Sequence, residues 1–223
     1  MINIAIIPAR GGSKRLIGKN SLLLAGIPLL AHSILYAKRN SEIIDDVYVS
    51  TDDAEIKQLA LNYGAKVVDR PDYLSGDFEP TVSCLKHCLE NIEQEVENVF
   101  LLQPTNPLRM DDLLRNAFMA FKAQKSDSLM TVTKSHHKLG KIVQNRFEPF
   151  NYEPGQRSQD LEPLFFENGL LYISSAELIR QDKIISAAAI PFVVDHIFAG
   201  VDIDTQEDLD YAEYLLQNIK YKR

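Results

Sequence analysis

The chain has 223 residues, 45% hydrophobic and 25% charged, with a formal net charge of −7, enough to bury the core of one α/β domain. The acidic balance excludes a protein that coats nucleic acid, no apolar run approaches the ~18 residues of a membrane span, and the N-terminus lacks the pattern of a signal peptide. The expectation is a single domain over residues 1–223, cytoplasmic, with neither membrane nor nucleic acid as partner.

Ile4, Ile6 and Ile7 read as a buried strand that Pro8 ends. Directly behind it stand the cations Arg10, Lys14, Arg15 and Lys19, with Gly11, Gly12 and Ser13 among them. The backbone N–H groups of Gly11-Gly12-Ser13 can gather round one anion. A guanidinium suits bidentate phosphate binding and lysines act as point charges, so the mixture fits a triphosphate. Residues 1–41 carry six Lys or Arg and no Asp or Glu, whereas the remainder carries 18 cations against 31 acids. That asymmetry focuses potential on one small anionic ligand. A basic surface loop is the plainer reading of the same residues. The spacing is neither that of a P-loop nor that of a dinucleotide fingerprint, and Asp52 lies too far from the glycines for the latter.

A helix is expected near Leu29 to Arg39, then the strand Val47–Thr51, then a helix capped by Asp52 or Asp53, running to about Tyr63 and stopped by Gly64. Ala65–Val68 reads as a short strand, and Arg70-Pro71 opens a loop to Pro80, an exposed turn when taken alone. The next helix, about Thr81 to Glu93, carries Cys84 and Cys88 one turn apart, where they cannot bridge without distortion and lack further zinc ligands. They read as reduced packing residues. The strand Val99–Gln103 leads into Gln103-Pro-Thr-Asn-Pro-Leu-Arg109, whose two prolines stiffen the backbone so that the Gln103 amide projects as donor and acceptor. The plainer reading is a turn into a helix from about Asp111 to Gln124, followed by the strand Ser128–Thr133. This alternation predicts a Rossmann-like α/β fold with a mostly parallel sheet and helices on both faces. Ligands then bind beyond the carboxyl ends of the strands, so the segments after Ile7, Thr51, Val68, Gln103 and Thr133 share one cleft.

Residues 134–170 are polar, with an alternating stretch at Lys141–Gln144 that suggests an antiparallel ribbon protruding from the sheet. His136-His137 lacks the spacing of a zinc site and reads as a solvated loop. Strands are expected at Leu170–Ile173 and Phe192–Val194, and a last strand ends Gly200-Val-Asp202-Ile-Asp204-Thr205 ahead of a helix from about Thr205 to Ile219. A period of two puts the carboxylates of Asp202 and Asp204 on one face, a hard-oxygen pair that suits Mg²⁺ beside phosphate. Asp204 as a cap of the final helix, with Asp202 an ordinary polar residue, is the alternative.

Together these residues resemble the N-acylneuraminate cytidylyltransferases, the CMP-sialic acid synthetases, over nearly the whole chain. Ile7-Pro-Ala-Arg-Gly-Gly-Ser-Lys with Lys19-Asn20 resembles the family's nucleotide loop and Leu101–Arg109 its central motif. Arg157–Leu161 with Asn168–Tyr172 resembles its sugar-acid segment, and Asp202-Ile-Asp204 its metal site. The synthetases for 3-deoxy-octulosonate share Pro-Ala-Arg but usually differ in the loop and the central run, and the pseudaminate branch also tends to differ in that run. The resemblance implies transfer of CMP from CTP to the anomeric hydroxyl of a nine-carbon α-keto sugar acid, with release of pyrophosphate. It implies that Arg10, Lys14 and Lys19 hold the triphosphate, with the backbone of Gly11, Gly12 and Ser13. Asn20, Arg70 and Thr81 then lie around the cytidine, Gln103, Arg157 and Tyr172 face the sugar acid, and Asp202 and Asp204 bind Mg²⁺, with Mn²⁺ as substitute. The excursion 134–170 then extends over a neighbouring subunit in a homodimer and completes its sugar pocket. Ile184-Ile185 stand where relatives present an aromatic pair from the partner, and Phe166 where some carry a basic residue, which points to a less polar analogue such as legionaminate. A hexose-1-phosphate nucleotidyltransferase and a non-catalytic nucleotide-binding regulator are the other readings.

Overall fold

The computed structural model of the chain describes residues 1–218, and the expected end of the last helix at Ile219 lies outside them. Its centre is the strand β1 (Ile2–Pro8), whose alternation sends Ile4 and Ile6 to one face and Ala5 and Ile7 to the other, all fully buried. A basic loop with a 3-10 turn at Lys19–Ser21 leads to the small hairpin β2 (Leu23–Leu24) and β3 (Ile27–Pro28) and to α1 (Leu29–Arg39). Then follow β4 (Asp46–Thr51), α2 (Ala54–Asn62), β5 (Lys66–Asp69), α3 (Thr81–Glu90), β6 (Val96–Leu101), α4 (Leu113–Gln124) and β7 (Ser128–Ser135). The ribbon β8 (Gly140–Val143) and β9 (Arg146–Pro149) precedes β10 (Leu164–Ser175), α5 (Ala176–Arg180), β11 (Ile190–Val193) and α6 (Gln206–Asn218).

The main sheet has seven strands in the order β11-β7-β10-β6-β1-β4-β5. β1 pairs in parallel with β4 on one side and β6 on the other, β4 with β5, and β11 with β7, while β10 alone runs antiparallel to both neighbours. The chain therefore departs from β1 in opposite directions, and that switch point opens a crevice at the carboxyl ends of β1, β4 and β6. One face packs Ala5, Ile7, Val49 and Phe100 against α1, α2 and α4, and the other packs Ile4, Ile6, Val99 and Leu101 against α3 and α5. Each such Ile, Leu, Val or Phe side chain fully withdrawn from water contributes about 1.5–3 kcal/mol. A third cluster joins Leu24, Leu108, Phe198, Val201 and Ile203 to Leu209, Ala212 and Leu215 of α6. Cys84 and Cys88 are free and buried, burial pushing the Cys88 thiol up to about 12, which fits packing rather than redox chemistry.

The structure departs from the sequence reading in definable places. The helix opening at Thr81 stops at Glu90 rather than Glu93, and the next starts at Leu113 rather than Asp111. The strand expected at Leu170–Ile173 begins at Leu164, so the excursion rejoins the main sheet earlier than read. Its pairing is broken by a register shift, where Glu167 faces Val132 but Tyr172 already faces Met130, with Gly169 between them at φ 74. The antiparallel ribbon is present, with Ile142, Phe147 and Phe150 exposed. Residues 200–205 are not a strand. The segment is extended, but it pairs with no strand and is fixed by burial of Val201 and Ile203 and by the Ile203 N–H donating to the Thr105 carbonyl at 2.8 Å.

Candidate functional site

The crevice holds two adjoining pockets of about 320 and 190 Å³, which share Pro8, Arg10, Pro104 and Thr105. The smaller is cationic. Ser13, Lys14, Arg15, Lys19 and Asn20 line it together with Asp204. Four cations face two carboxylates there. Arg10 Nη2 lies 3.0 Å from Asp77, which also pairs with Lys14, while Lys19 and Arg15 reach Asp204 at 2.9 and 2.8 Å. The hydrogen bond from Lys14 holds the Asp77 carboxyl below the usual carboxylate range. Lys19 is the least exposed of these cations, at 15% of its side chain, so its charge is the least screened.

The loop backbone works differently from the sequence reading. The Gly11 N–H donates to Asp52 at 3.0 Å and the Ser13 N–H to the Gly11 carbonyl at 2.9 Å, so two of the three amides are already committed. Gly11 and Gly12 do not line the cationic pocket, whose wall is made by Ser13 and the charged side chains. Asp53 caps α2, accepting from Glu55 and Ile56 N–H, and presses so close that a Cβ at position 11 would meet Asp53 Oδ2 at 2.6 Å. Asn20 lines this cationic pocket rather than the larger one, with its amide donating to the Arg10 carbonyl at 3.1 Å.

The larger pocket is lined by Arg70, Thr81 and Gln103, with Glu79, Pro80 and Cys84. Arg70 is buried and donates from Nε to Ser50 Oγ at 3.0 Å and from Nη2 to the Ser50 carbonyl at 2.7 Å. It makes no ion pair among the described residues. A positive, planar donor is thus held rigidly at the wall. Thr81 opens α3, whose N-terminus adjoins the pocket.

The loop after β6 is anchored by two side chains whose roles were not read from the sequence. Arg109, fully buried, donates to the carbonyls of Leu170 at 2.6 Å and Gln103 at 2.9 Å and to Ser33 Oγ at 3.0 Å, and its burial lowers its pKa to about 10. Asn106 Nδ2 donates to the carbonyls of Asn168 at 3.1 Å and Val201 at 2.9 Å. Gly169 is required beside it, because a Cβ there would stand 2.6 Å from Asn106 Oδ1. Asparagine and arginine inside a proline-bounded loop were the available signal, but their acceptors are distant backbone carbonyls.

Asp202 is exposed and Asp204 half-buried, with buried Val201 and Ile203 alternating with them, so both carboxylates leave the same side. The helix cap is not Asp204. Asp208 accepts from the N–H groups of Asp204 and Thr205 and from Thr205 Oγ1, which closes the start of α6 without it. Among the described residues no group of three or more His, Cys, Asp or Glu is placed to hold an ion. Asp204 lines the cationic pocket and Asp202 lines neither pocket, so one carboxylate stands beside the cations, which fits Mg²⁺ because that ion takes one or two carboxylates and completes its shell with phosphate and water.

Two further expectations separate from the cleft. Tyr172 is buried in β10, its hydroxyl donating to Glu167 at 3.1 Å, and burial followed by the charge of Glu167 raises its pKa, with a smaller push from Asp202. Arg157 lies on the excursion, exposed and paired with Asp160 at 2.7 Å, and lines neither pocket of its own chain. Ile184 and Ile185 are half-buried against the cluster holding Cys84 and Tyr172, hence partly committed to their own core. His136 and His137 are exposed, as read.

The chain belongs to the cytidylyltransferase family, whose model matches residues 4–222. It is 33% identical to a pseudaminic acid cytidylyltransferase of Campylobacter jejuni over 96% of both chains. It is also 33% identical to a CMP-N,N'-diacetyllegionaminic acid synthase of Legionella pneumophila, again over 96% of both. A third relative, the N-acylneuraminate cytidylyltransferase of Streptococcus agalactiae, is 33% identical over 92% of this chain, which spans 51% of that protein. Among solved structures, a CMP:2-keto-3-deoxy-manno-octonic acid synthetase complexed with CTP superposes with a TM-score of 0.75 at 18% identity, covering 97% of this chain and 99% of its own.

Proposed function

We propose that this member of the family is a CMP-sugar synthetase that transfers CMP from CTP to the anomeric hydroxyl of a nine-carbon α-keto sugar acid, N-acetylneuraminate or a close analogue such as legionaminate. The hydroxyl oxygen attacks the α-phosphorus, the bond to the bridging oxygen of the β-phosphate breaks, pyrophosphate leaves, and the hydroxyl proton is lost. The observation that carries this reading is the adjoining pair of pockets, one cationic and one walled by Arg70, Thr81 and Gln103, in a chain whose relatives are named for cytidylyl transfer to such acids.

Phosphoryl transfer asks chiefly for placement and for neutralised charge. Arg10, Lys14 and Lys19 hold the triphosphate, helped by Ser13. Arg70 and Thr81 border the cytidine, and Asn20 contributes by fixing the Arg10 backbone. Gln103 faces the sugar acid, and Tyr172, which lines neither pocket, has no part in this reading. Asp202 and Asp204 would hold Mg²⁺ or Mn²⁺, which would supply a Lewis acid for the phosphate oxygens and lower the pKa of a nearby hydroxyl. The chain acts as one cytoplasmic cytidylyltransferase domain.

A homodimer is part of the proposal. The exposed Ile142, Phe147 and Phe150 of the ribbon, with Phe165 and Phe166 of β10, form an apolar surface of the kind partners cover. Arg157, outside its own cleft, then serves the neighbour's sugar carboxylate, for which a planar guanidinium is suited. Phe166 in place of a base favours a less polar acid.

The test is pyrophosphate release with CTP and Mg²⁺ against N-acetylneuraminate, legionaminate, pseudaminate and 3-deoxy-octulosonate, with Asp202→Asn as control. Release with one nine-carbon acid, lost in the variant, is expected. No release with any of them sinks the proposal.

A further inference from the structure

The loop between β5 and α3 reaches across the crevice to the basic loop, chiefly through the Asp77 side chain. Asp77 takes Arg10 Nη2 at 3.0 Å with one oxygen and Lys14 Nζ with the other, and Arg10 Nη1 also lies 3.4 Å from the Ser75 carbonyl. The remaining hydrogen bonds of residues 72–79 stay within the loop or its own ends, namely Leu74 and Ser75 Oγ to the Pro71 carbonyl, Ser75 N–H to Asp72 and Glu79 N–H to Gly76. Phe78, next to Asp77, is fully exposed and Tyr73 is 76% exposed, and the half-buried Leu74 lies three residues back, so the tip around Asp77 itself carries no buried apolar side chain. Arg10 and Lys14 are therefore what holds it.

We infer that Asp77 is a displaceable counter-ion for the triphosphate site, a carboxylate that occupies the cations until phosphate replaces it and thereby releases the loop bordering the nucleoside pocket. This rests on the proposed reading of Arg10 and Lys14 as triphosphate contacts. A triphosphate brought to these two cations sets several negative oxygens beside a carboxylate already bonded to both, and no other cation pairs with Asp77 among the described residues. The carboxylate must withdraw. Asp204, the other carboxylate of the pocket, differs because it sits on a segment anchored by Val201 and Ile203 rather than on a free loop. Since Leu74, Gly76 and Glu79 line the larger pocket, withdrawal of Asp77 reshapes the wall of the nucleoside site when phosphate arrives.

The experiment uses the full chain, with inorganic pyrophosphate in EDTA as probe, so that a metal ligand is not what is measured. Titration calorimetry compares wild type with Asp77→Asn and Asp77→Ser, and chymotrypsin cleavage after Phe78 and Tyr73 follows the loop. Both variants are expected to bind pyrophosphate about two- to tenfold more tightly, the scale of two partly exposed ion pairs. Pyrophosphate is expected to speed cleavage in the wild type but not in the variants, where cleavage is already fast. Equal or weaker binding by the variants, or cleavage that pyrophosphate leaves unchanged in the wild type, overturns the inference alone. A wild type that binds neither pyrophosphate nor CTP overturns the reading of the cleft and the inference with it.

Discussion

The side-chain amide of Asn106 stands 2.9 Å from the carbonyl oxygen of Val201, pinning the loop after β6 to the segment that carries Asp202 and Asp204. The Thr105 carbonyl adds a second tie by accepting from the Ile203 N–H at 2.8 Å. The two acids and Gln103 thus share one frame, although they come from distant parts of the chain.

Asn106→Ala removes the donor to two buried carbonyls, those of Asn168 and Val201. The expected loss is about 1–3 kcal/mol in urea unfolding. Turnover should fall by a further factor of about ten or more as the acid pair drifts. An unchanged midpoint with unchanged kcat/KM would show that the tie does not position the site.

Arg109→Lys keeps the charge but loses the fork that serves Leu170, Gln103 and Ser33 at once. A destabilisation of about 2–3 kcal/mol is expected, because an ammonium cannot reach all three acceptors. Urea midpoints of the two proteins check it, and equality would mean that the fork is dispensable.

Gly11→Ala forces its Cβ against Asp53 Oδ2 at 2.6 Å and Asp53 Cβ at 2.8 Å. Because Asp53 caps α2, either the cap or the basic loop must shift, at about 0.5–2 kcal/mol for a lost cap. CTP affinity should weaken together with thermal stability, and a variant that loses neither has found room the geometry denies.

His32 is held neutral. Burial lowers its pKa from 6.5, opposed by backbone bonds including Nε2 to the Leu24 carbonyl at 3.0 Å, which requires the proton on Nε2. The unfolded ring takes a proton near pH 6.5 and the folded ring only at lower pH, so stability is lost as pH falls below about 6.5. Melting curves from about pH 7.5 to 5.5 should show this slope reduced in His32→Gln. An identical slope would place the pH dependence elsewhere.

Much of this was legible in the sequence because local rules governed it. Ile4, Ile6 and Ile7 announced the buried β1, Asp52-Asp53 announced α2, which Asp53 caps, and strand–helix alternation implied a cleft that does gather Arg10, Lys14, Lys19, Asn20, Arg70, Thr81, Gln103 and Asp204. The alternation at Val201–Asp204 pointed both carboxylates correctly even though no strand forms there, since burial of Val201 and Ile203 alone enforces it. What escaped depends on partners remote along the chain. Asp77 meets Arg10 only after the sheet has assembled, the Gly11 amide is claimed by Asp52 from the next strand end, and the acceptors of Asn106 and Arg109 are main-chain oxygens that no side-chain pattern announces.

The order of the sheet also sets a timetable for synthesis. The strands β5-β4-β1-β6 are neighbours and are complete by Leu101, so this half and its basic loop can assemble while the rest of the chain is still being made. β10 must then enter between β6 and β7, a pairing of distant segments and hence a slow one. Until it arrives, Arg109 lacks Leu170 and Asn106 lacks Asn168. A nascent chain halted before β10 therefore carries the basic loop and its strands without the partners that fix Arg109 and Asn106, and its unpaired β6 edge is where a chaperone or a second nascent copy would first bind.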